Sequence, residues 1–141
     1  MSSLIFPDLN VWLALTVPEH VHYQAAHRWW KRGNERIAFS RFTQMGYLRL
    51  LTTAASMGGK PLTIDEAWKA YDRLYKDDRI VFAPEPPAAD LHFRKYAAAR
   101  TSSPKLWGDA WLLAMAEAAG GSVATFDRGL AARGEDCVLL S

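Results

Sequence analysis

The sequence predicts an α/β sandwich, a mainly parallel central sheet flanked by helices, folded as one domain over residues 1–141. Three observations carry this expectation. Five short apolar runs, at 4–6, 37–39, 80–82, 122–126 and 138–140, have strand character. Most of the stretches between them repeat apolar residues at helical spacing. A chain of 141 residues that is 50% hydrophobic can bury a core of its own. Strands that alternate with helices favour parallel pairing, because a parallel pair needs a long crossover and a helix supplies it.

The first run ends on Pro7-Asp8. Proline has no N–H to give to a ladder, so Pro7 fits best as the strand's last residue. Asn10 then precedes Val11-Trp12-Leu13-Ala14-Leu15 as a helix N-cap would, and Pro18 closes that helix. From His20 to Arg32, Val21, Ala25 and Trp29 recur at helical spacing, with Gly33 as a stop. After the second strand, Ser40 can cap a helix whose Gln44, Leu48, Leu51 and Ala55 share one face as far as Gly58-Gly59. Thr63 and Glu66 have capping-box spacing, and Trp68, Tyr71 and Tyr75 continue a helical stripe to Lys76-Asp77-Asp78. Prolines 84 and 87 punctuate the chain, residues 88–100 read as a helix, and 101–105 as a loop bearing lysine and hydroxyl groups. The helix predicted over 108–119 carries Asp109 in its first turn and ends at Gly120-Gly121. Asp127 ends the strand that follows, and no repeat, low-complexity tract or linker interrupts the pattern.

Composition narrows the function classes. One cysteine, Cys137, allows neither an internal disulfide nor a thiolate zinc cluster, which points to a reducing cytoplasm. The start, Met-Ser-Ser-Leu-Ile-Phe-Pro-Asp, lacks a cationic leader, and no apolar run is long enough to span a bilayer. Seventeen basic and fifteen acidic residues leave a net charge of +2, so any nucleic-acid surface must come from local clustering. Gly58-Gly59-Lys60 lacks the spacing of a phosphate-binding loop, and no Gly-x-Ser-x-Gly nucleophile string occurs.

Three carboxylates are the candidates to carry chemistry. Asp8 and Asp127 each follow a strand, so a parallel sheet brings both to its carboxyl edge, where open α/β folds place their sites. Asp109 opens a helix that runs back against the sheet, so its first turn falls at the same edge. Three such groups repel one another, and a hard divalent cation such as Mg²⁺ or Mn²⁺ relieves the repulsion while retaining waters for hydrolysis. The alternative is structural: Asp8 as a turn residue, Asp109 complementing a helix dipole, Asp127 in an Asp-Arg-Gly turn.

The strings Pro7-Asp8-Leu9-Asn10-Val11-Trp12-Leu13, Thr43-Gln44-Met45-Gly46-Tyr47-Leu48-Arg49-Leu50-Leu51-Thr52, Asp109-Ala110 and Thr125-Phe126-Asp127-Arg128-Gly129 resemble, in this order, PIN-domain toxins of the VapC type. No single string is specific, but the ordered set spans nearly the whole chain. The resemblance implies a PIN-like sandwich and a divalent-metal-dependent endoribonuclease, a homodimer that a small cognate antitoxin inhibits. It makes Asp8, Asp109 and Asp127 the carboxylates for Mg²⁺ or Mn²⁺, with Asn10 and Thr125 orienting them. Many PIN nucleases carry a glutamate where this sequence has Gln44, whose amide can still coordinate through its oxygen or hold a water but adds no charge.

Arg94, Lys95, Arg100 and Lys105 surround the loop before Asp109, and Arg128 follows Asp127; they are candidates to track RNA phosphates, with a solvated helix face as the alternative. Trp107 and Trp111 flank Asp109 at helical spacing, which favours core packing over stacking on a base. His20, His22 and His27 lack the i, i+4 spacing of paired ligands and read as solvated or core residues. Two rival functions remain. Asp8-Leu9-Asn10-Val11 after a strand also resembles haloacid-dehalogenase phosphatases, which usually carry a second aspartate where Asn10 stands. A non-catalytic interaction module on the same fold is the other, with the neutral Gln44 as its one hint.

Overall fold

Alternation within three buried strands divides the molecule into two layers of helix around one sheet. In the computed structural model, which describes residues 4–141, β1 (Leu4–Pro7), β2 (Arg36–Phe39) and β4 (Ser122–Thr125) turn successive side chains to opposite faces. Ile5, Ile37, Phe39 and Ala124 enter one core with Trp12, Tyr47 and Tyr71. Phe6, Ala38 and Val123 enter the other with Leu112, Leu113 and Met115. The leader expectation rests partly on residues 1–3, which lie outside the described residues.

The element order is β1, α1 (Leu9–Thr16), α2 (Tyr23–Arg32), β2, α3 (Arg41–Leu51), α4 (Ile64–Leu74), β3 (Ile80–Phe82), α5 (Ala89–Tyr96), α6 (Lys105–Ala118), β4, α7 (Arg128–Arg133) and β5 (Cys137–Leu139). All four strand pairings are parallel, in the order β3-β2-β1-β4-β5. The chain builds outward from β1 to β3 on one side, then crosses back and adds β4 and β5 on the other. The direction of winding therefore reverses between β1 and β4, where a crevice opens at the carboxyl ends of the strands. No helix among the described residues is long and apolar enough to cross a membrane.

Local signals account for most element ends. Pro7 is the last residue of β1, as its missing donor requires. Ser40 and Thr43 form a capping box on α3, and Thr63 with Glu66 forms one on α4, each such cap contributing about 1 kcal/mol. Trp12 is fully buried and stacks on Phe39 with ring centroids 3.8 Å apart. Gly46 lets α3 approach α1, since a Cβ there would come within 2.8 Å of Leu9.

Several expected boundaries differ. Asp8, not Asn10, caps α1, because the carboxylate reaches the N–H of Asn10 at 2.7 Å. The helix expected from His20 begins at Tyr23, since residues 17–22 form turns after Pro18. The helix expected to run to residue 56 stops at Leu51, followed by a short 3-10 turn at Ala55–Met57. Residues 128–133 form α7, where the sequence suggested only a turn. The helix expected from 108 starts at Lys105, so Asp109 sits in its second turn.

Candidate active site

Asp8 and Asp127 leave adjacent parallel strands, and Thr125 ties them together. The backbone N–H of Asp8 donates to the Ala124 carbonyl at 2.9 Å, which extends the β1–β4 ladder to the first acid. The fully buried Thr125 donates its hydroxyl to Asp8 Oδ2 at 2.5 Å and accepts the N–H of Asp127 at 3.0 Å. Asp8 uses its other oxygen on the Asn10 N–H, while Asp127 Oδ1 accepts from Gly129 and Leu130 at the start of α7. Both carboxylates are thus helix caps.

The electrostatics record a shared site. Burial holds the Asp8 carboxyl above the usual range, opposed by the hydrogen bonds from Thr125 and Asn10 and reinforced by the charge of Asp127. Burial also raises Asp109; Lys105 opposes this, and the charges of Asp127 and Asp8 add to it. Asp109 therefore lies close enough to both other acids to feel their charge. Asp127 is held low, chiefly by Lys105, whose ammonium stands 3.0 Å from Asp127 Oδ2. The same ammonium is stabilised by Asp109 and Asp8, so it partly neutralises all three acids. The donor chemistry fits a hard divalent cation, being carboxylate oxygens from three acids, two of which are held above the usual range by burial and, to a smaller extent, by neighbouring acids. Among the described residues, no three His, Cys, Asp or Glu side chains already stand together as a formed ligand set. An ion at Asp127 Oδ2 would compete with Lys105 for that oxygen.

The residues expected to support the acids are placed differently from one another. Thr125 bridges two of them. Asn10 contributes its backbone N–H, with its side chain exposed. Gln44 is buried in α3, and its amide oxygen accepts from Arg41 Nη1 at 2.5 Å, so the oxygen that would coordinate is already engaged. Replacing Gln44 by Glu should form an ion pair with Arg41 in place of that bond. Melting temperature should then shift in the same direction with chelator and with excess Mn²⁺. A stabilisation with Mn²⁺ paired with a destabilisation in chelator would instead put the new charge beside the ion.

The basic candidates also separate. Lys105 contacts Asp127 directly, and the exposed Arg128 is the first residue of α7, next to Asp127. Arg94 pairs with Asp90 one turn back on α5, and Arg100 is exposed in the loop before α6. Lys95 binds Glu117, eight residues along α6 from Asp109 and so about 12 Å from that acid at 1.5 Å per residue. The histidines have structural partners: His20 accepts the N–H of His22, His22 stacks on Phe126, and His27 bonds the Leu15 carbonyl. Trp107, expected in a core, is 61% exposed. Sequence reasoning missed Arg41, which its place two residues after a strand and at a helix start could have indicated.

A family model described as the PIN domain matches residues 5–135 of this chain. Ribonuclease VapC41 of Mycobacterium tuberculosis is 40% identical over 130 residues, covering 88% of this chain and 89% of that protein. Ribonuclease VapC29 of the same species is 29% identical over 125 residues, covering 88% and 86%. The crystal structure of Mycobacterium tuberculosis VapC20, described as a sarcin-ricin loop cleaving toxin, superposes with a TM-score of 0.68 at 17% identity over 92% of this chain and 95% of that one. That last likeness is one of fold.

Proposed function

The chain belongs to the PIN-domain family, and from that premise we propose that it is a divalent-metal-dependent endoribonuclease, the toxin of a toxin-antitoxin pair. The observation that carries the proposal is Thr125, which links the Asp8 carboxylate to the backbone of Asp127 at the β1–β4 reversal, with Asp109 inside the field of both acids. PIN-domain nucleases of the VapC type generally depend on a divalent metal, and Mg²⁺ or Mn²⁺ suits this oxygen donor set. Family membership favours this over the phosphatase and the non-catalytic module.

Asp8, Asp109 and Asp127 would hold the ion. When bound, it lowers the pKa of a water and offsets charge developing on the phosphoryl oxygens. The chain's own residues do the positioning. Thr125 fixes the direction of the Asp8 carboxyl, as outer partners of metal ligands do, and holds the backbone of Asp127. Lys105, released from Asp127, and Arg128 are in reach of the RNA backbone, where each cation adds affinity that falls with salt. Burial of Asp8 excludes part of the competing solvent and strengthens the field at the crevice.

Partnership with a small antitoxin, a homodimeric state and a cytoplasmic location extend the same reading. Exposed apolar side chains such as Val21 at 86% and Leu91 at 72% offer surface for protein contacts. Digestion of total cellular RNA tests the core of the proposal. Cleavage should appear with Mg²⁺ or Mn²⁺ and stop on adding chelator. RNA left intact at every metal concentration, with no ion bound by calorimetric titration, would exclude it.

A further inference from the structure

Each carboxylate oxygen of Asp8 and Asp127 has a donor, and all but one of those donors are fixed. Asp8 accepts from the backbone of Asn10 and from the buried Thr125 hydroxyl. Asp127 Oδ1 accepts from the backbone of Gly129 and Leu130. The exception is Asp127 Oδ2, whose donor is the Lys105 ammonium at 3.0 Å, carried on a flexible four-carbon stem. That side chain is 72% exposed, and the bond to Asp127 is the one hydrogen bond its ammonium makes among the described residues.

Lys105 opens α6 after the exposed residues 101–104. It stands four residues before Asp109, so both lie on one face of the helix, a turn or about 6 Å apart along its axis. The ammonium therefore joins Asp127 to the face of α6 that carries the third acid. An exposed lysine–carboxylate pair is weak. A divalent cation carries twice the charge and prefers carboxylate oxygen, so it can displace the lysine at little cost.

We propose that Lys105 is an exchangeable counter-cation: it neutralises Asp127 in the metal-free protein and, displaced from that oxygen by a divalent ion, binds the RNA phosphate at the site. The proposal rests on the ribonuclease reading and adds a regulation to it. Without metal the ammonium is committed to the chain's own acid. With metal the same group is free for a phosphodiester, one helical turn from Asp109. Metal and RNA binding then reinforce each other through one side chain, and the linkage is reciprocal.

The test compares the wild type with Lys105→Met, Lys105→Arg and Lys95→Met, the last removing a lysine that pairs with Glu117 near the other end of α6. Mn²⁺ affinity is measured by calorimetry without RNA. Filter binding, with Mn²⁺ and with chelator, measures affinity for a radiolabelled phosphorothioate oligoribonucleotide, which keeps its backbone charge and resists hydrolysis. Lys105→Met should bind Mn²⁺ about 2- to 5-fold more tightly, because no ammonium competes for Asp127. With Mn²⁺ it should bind the oligoribonucleotide about 4-fold more weakly at about 0.15 M salt, the share of one single-strand phosphate contact. In chelator that difference should vanish. Lys105→Arg should lie closer to the wild type in both measurements, and Lys95→Met should change neither. Circular dichroism checks that each variant folds.

Unchanged or weaker Mn²⁺ binding in Lys105→Met overturns the exchange. An RNA loss of equal size with and without Mn²⁺ would make Lys105 a plain phosphate contact, and no RNA loss would make it a plug; either overturns the coupling. The same shifts in Lys95→Met would make them effects of net charge and overturn it as well. If the wild type cuts RNA but this pattern is missing, the ribonuclease reading stands without the exchange. If the wild type cuts none and the pattern holds, the ribonuclease reading fails and the exchange survives.

Discussion

Asp8→Asn, Asp109→Asn and Asp127→Asn each lower RNA cleavage by at least about a hundredfold, because outer partners of metal ligands already cost 10- to 100-fold and these three would be the ligands themselves. The fold persists, since each change preserves shape, and asparagine remains a good cap at positions 8 and 127. Asp109→Asn carries a second, opposite readout. Burial and the two neighbouring acids raise Asp109 in the folded chain, so the folded form holds its proton more tightly than the unfolded form. Its contribution to metal-free stability is present below the unfolded pKa, about 3.9, and is lost as pH rises through the higher folded value. The amide never acquires that charge. In chelator, Asp109→Asn should therefore melt above the wild type at neutral pH, with a gap that closes on acidification. With excess Mn²⁺ the order should reverse, because the variant binds the ion less well. Wild-type cleavage by all three variants would remove the acids from the chemistry, and an Asp109→Asn gap independent of pH would remove Asp109 from the shared field.

Thr125→Val should reduce cleavage by roughly 10- to 100-fold and stability by about 1–3 kcal/mol. The valine fills the same buried volume but leaves the Asp127 N–H without its acceptor and Asp8 Oδ2 without its donor. The Thr125 bond also opposes the burial that raises Asp8. Without it Asp8 takes up its proton at a higher pH, so the acid limb of the pH–rate profile should move upward. Thr125→Ser should restore the profile, since the hydroxyl returns. Loss of melting temperature with an unmoved acid limb would make Thr125 a core residue only.

Much of this was legible locally. Pro7 marks its own strand end because it lacks a donor, and the Ser40 and Thr63 caps are signalled by side chains three residues from their partners. Asp8 and Asp127 could be assigned to the carboxyl edge because each directly follows a strand. α7 was not legible, because six residues opened by Asp-Arg-Gly carry too little periodicity to separate a short helix from a turn. Asn10 looked like the cap of α1, yet a carboxylate two residues earlier reaches the same orphan N–H groups and its position starts the helix sooner. Lys95 and Lys105 are alike in sequence. Only the helix that each packs on decides that one meets Glu117 and the other Asp127.

By itself the sequence determined the alternation of strand and helix, the parallel sheet, the Ser40 and Thr63 caps and the place of Asp8 and Asp127 just after strands, because these follow from periods and spacings within a dozen residues. Tertiary structure alone decided the strand order that places β4 beside β1, and with it the Thr125 bridge across 117 residues of chain. It also decided that Gln44 answers to Arg41 and that Trp107 faces solvent. These depend on which distant surfaces pack together, and a helical stripe looks the same in sequence whether its outermost aromatic residue meets a core or an open groove.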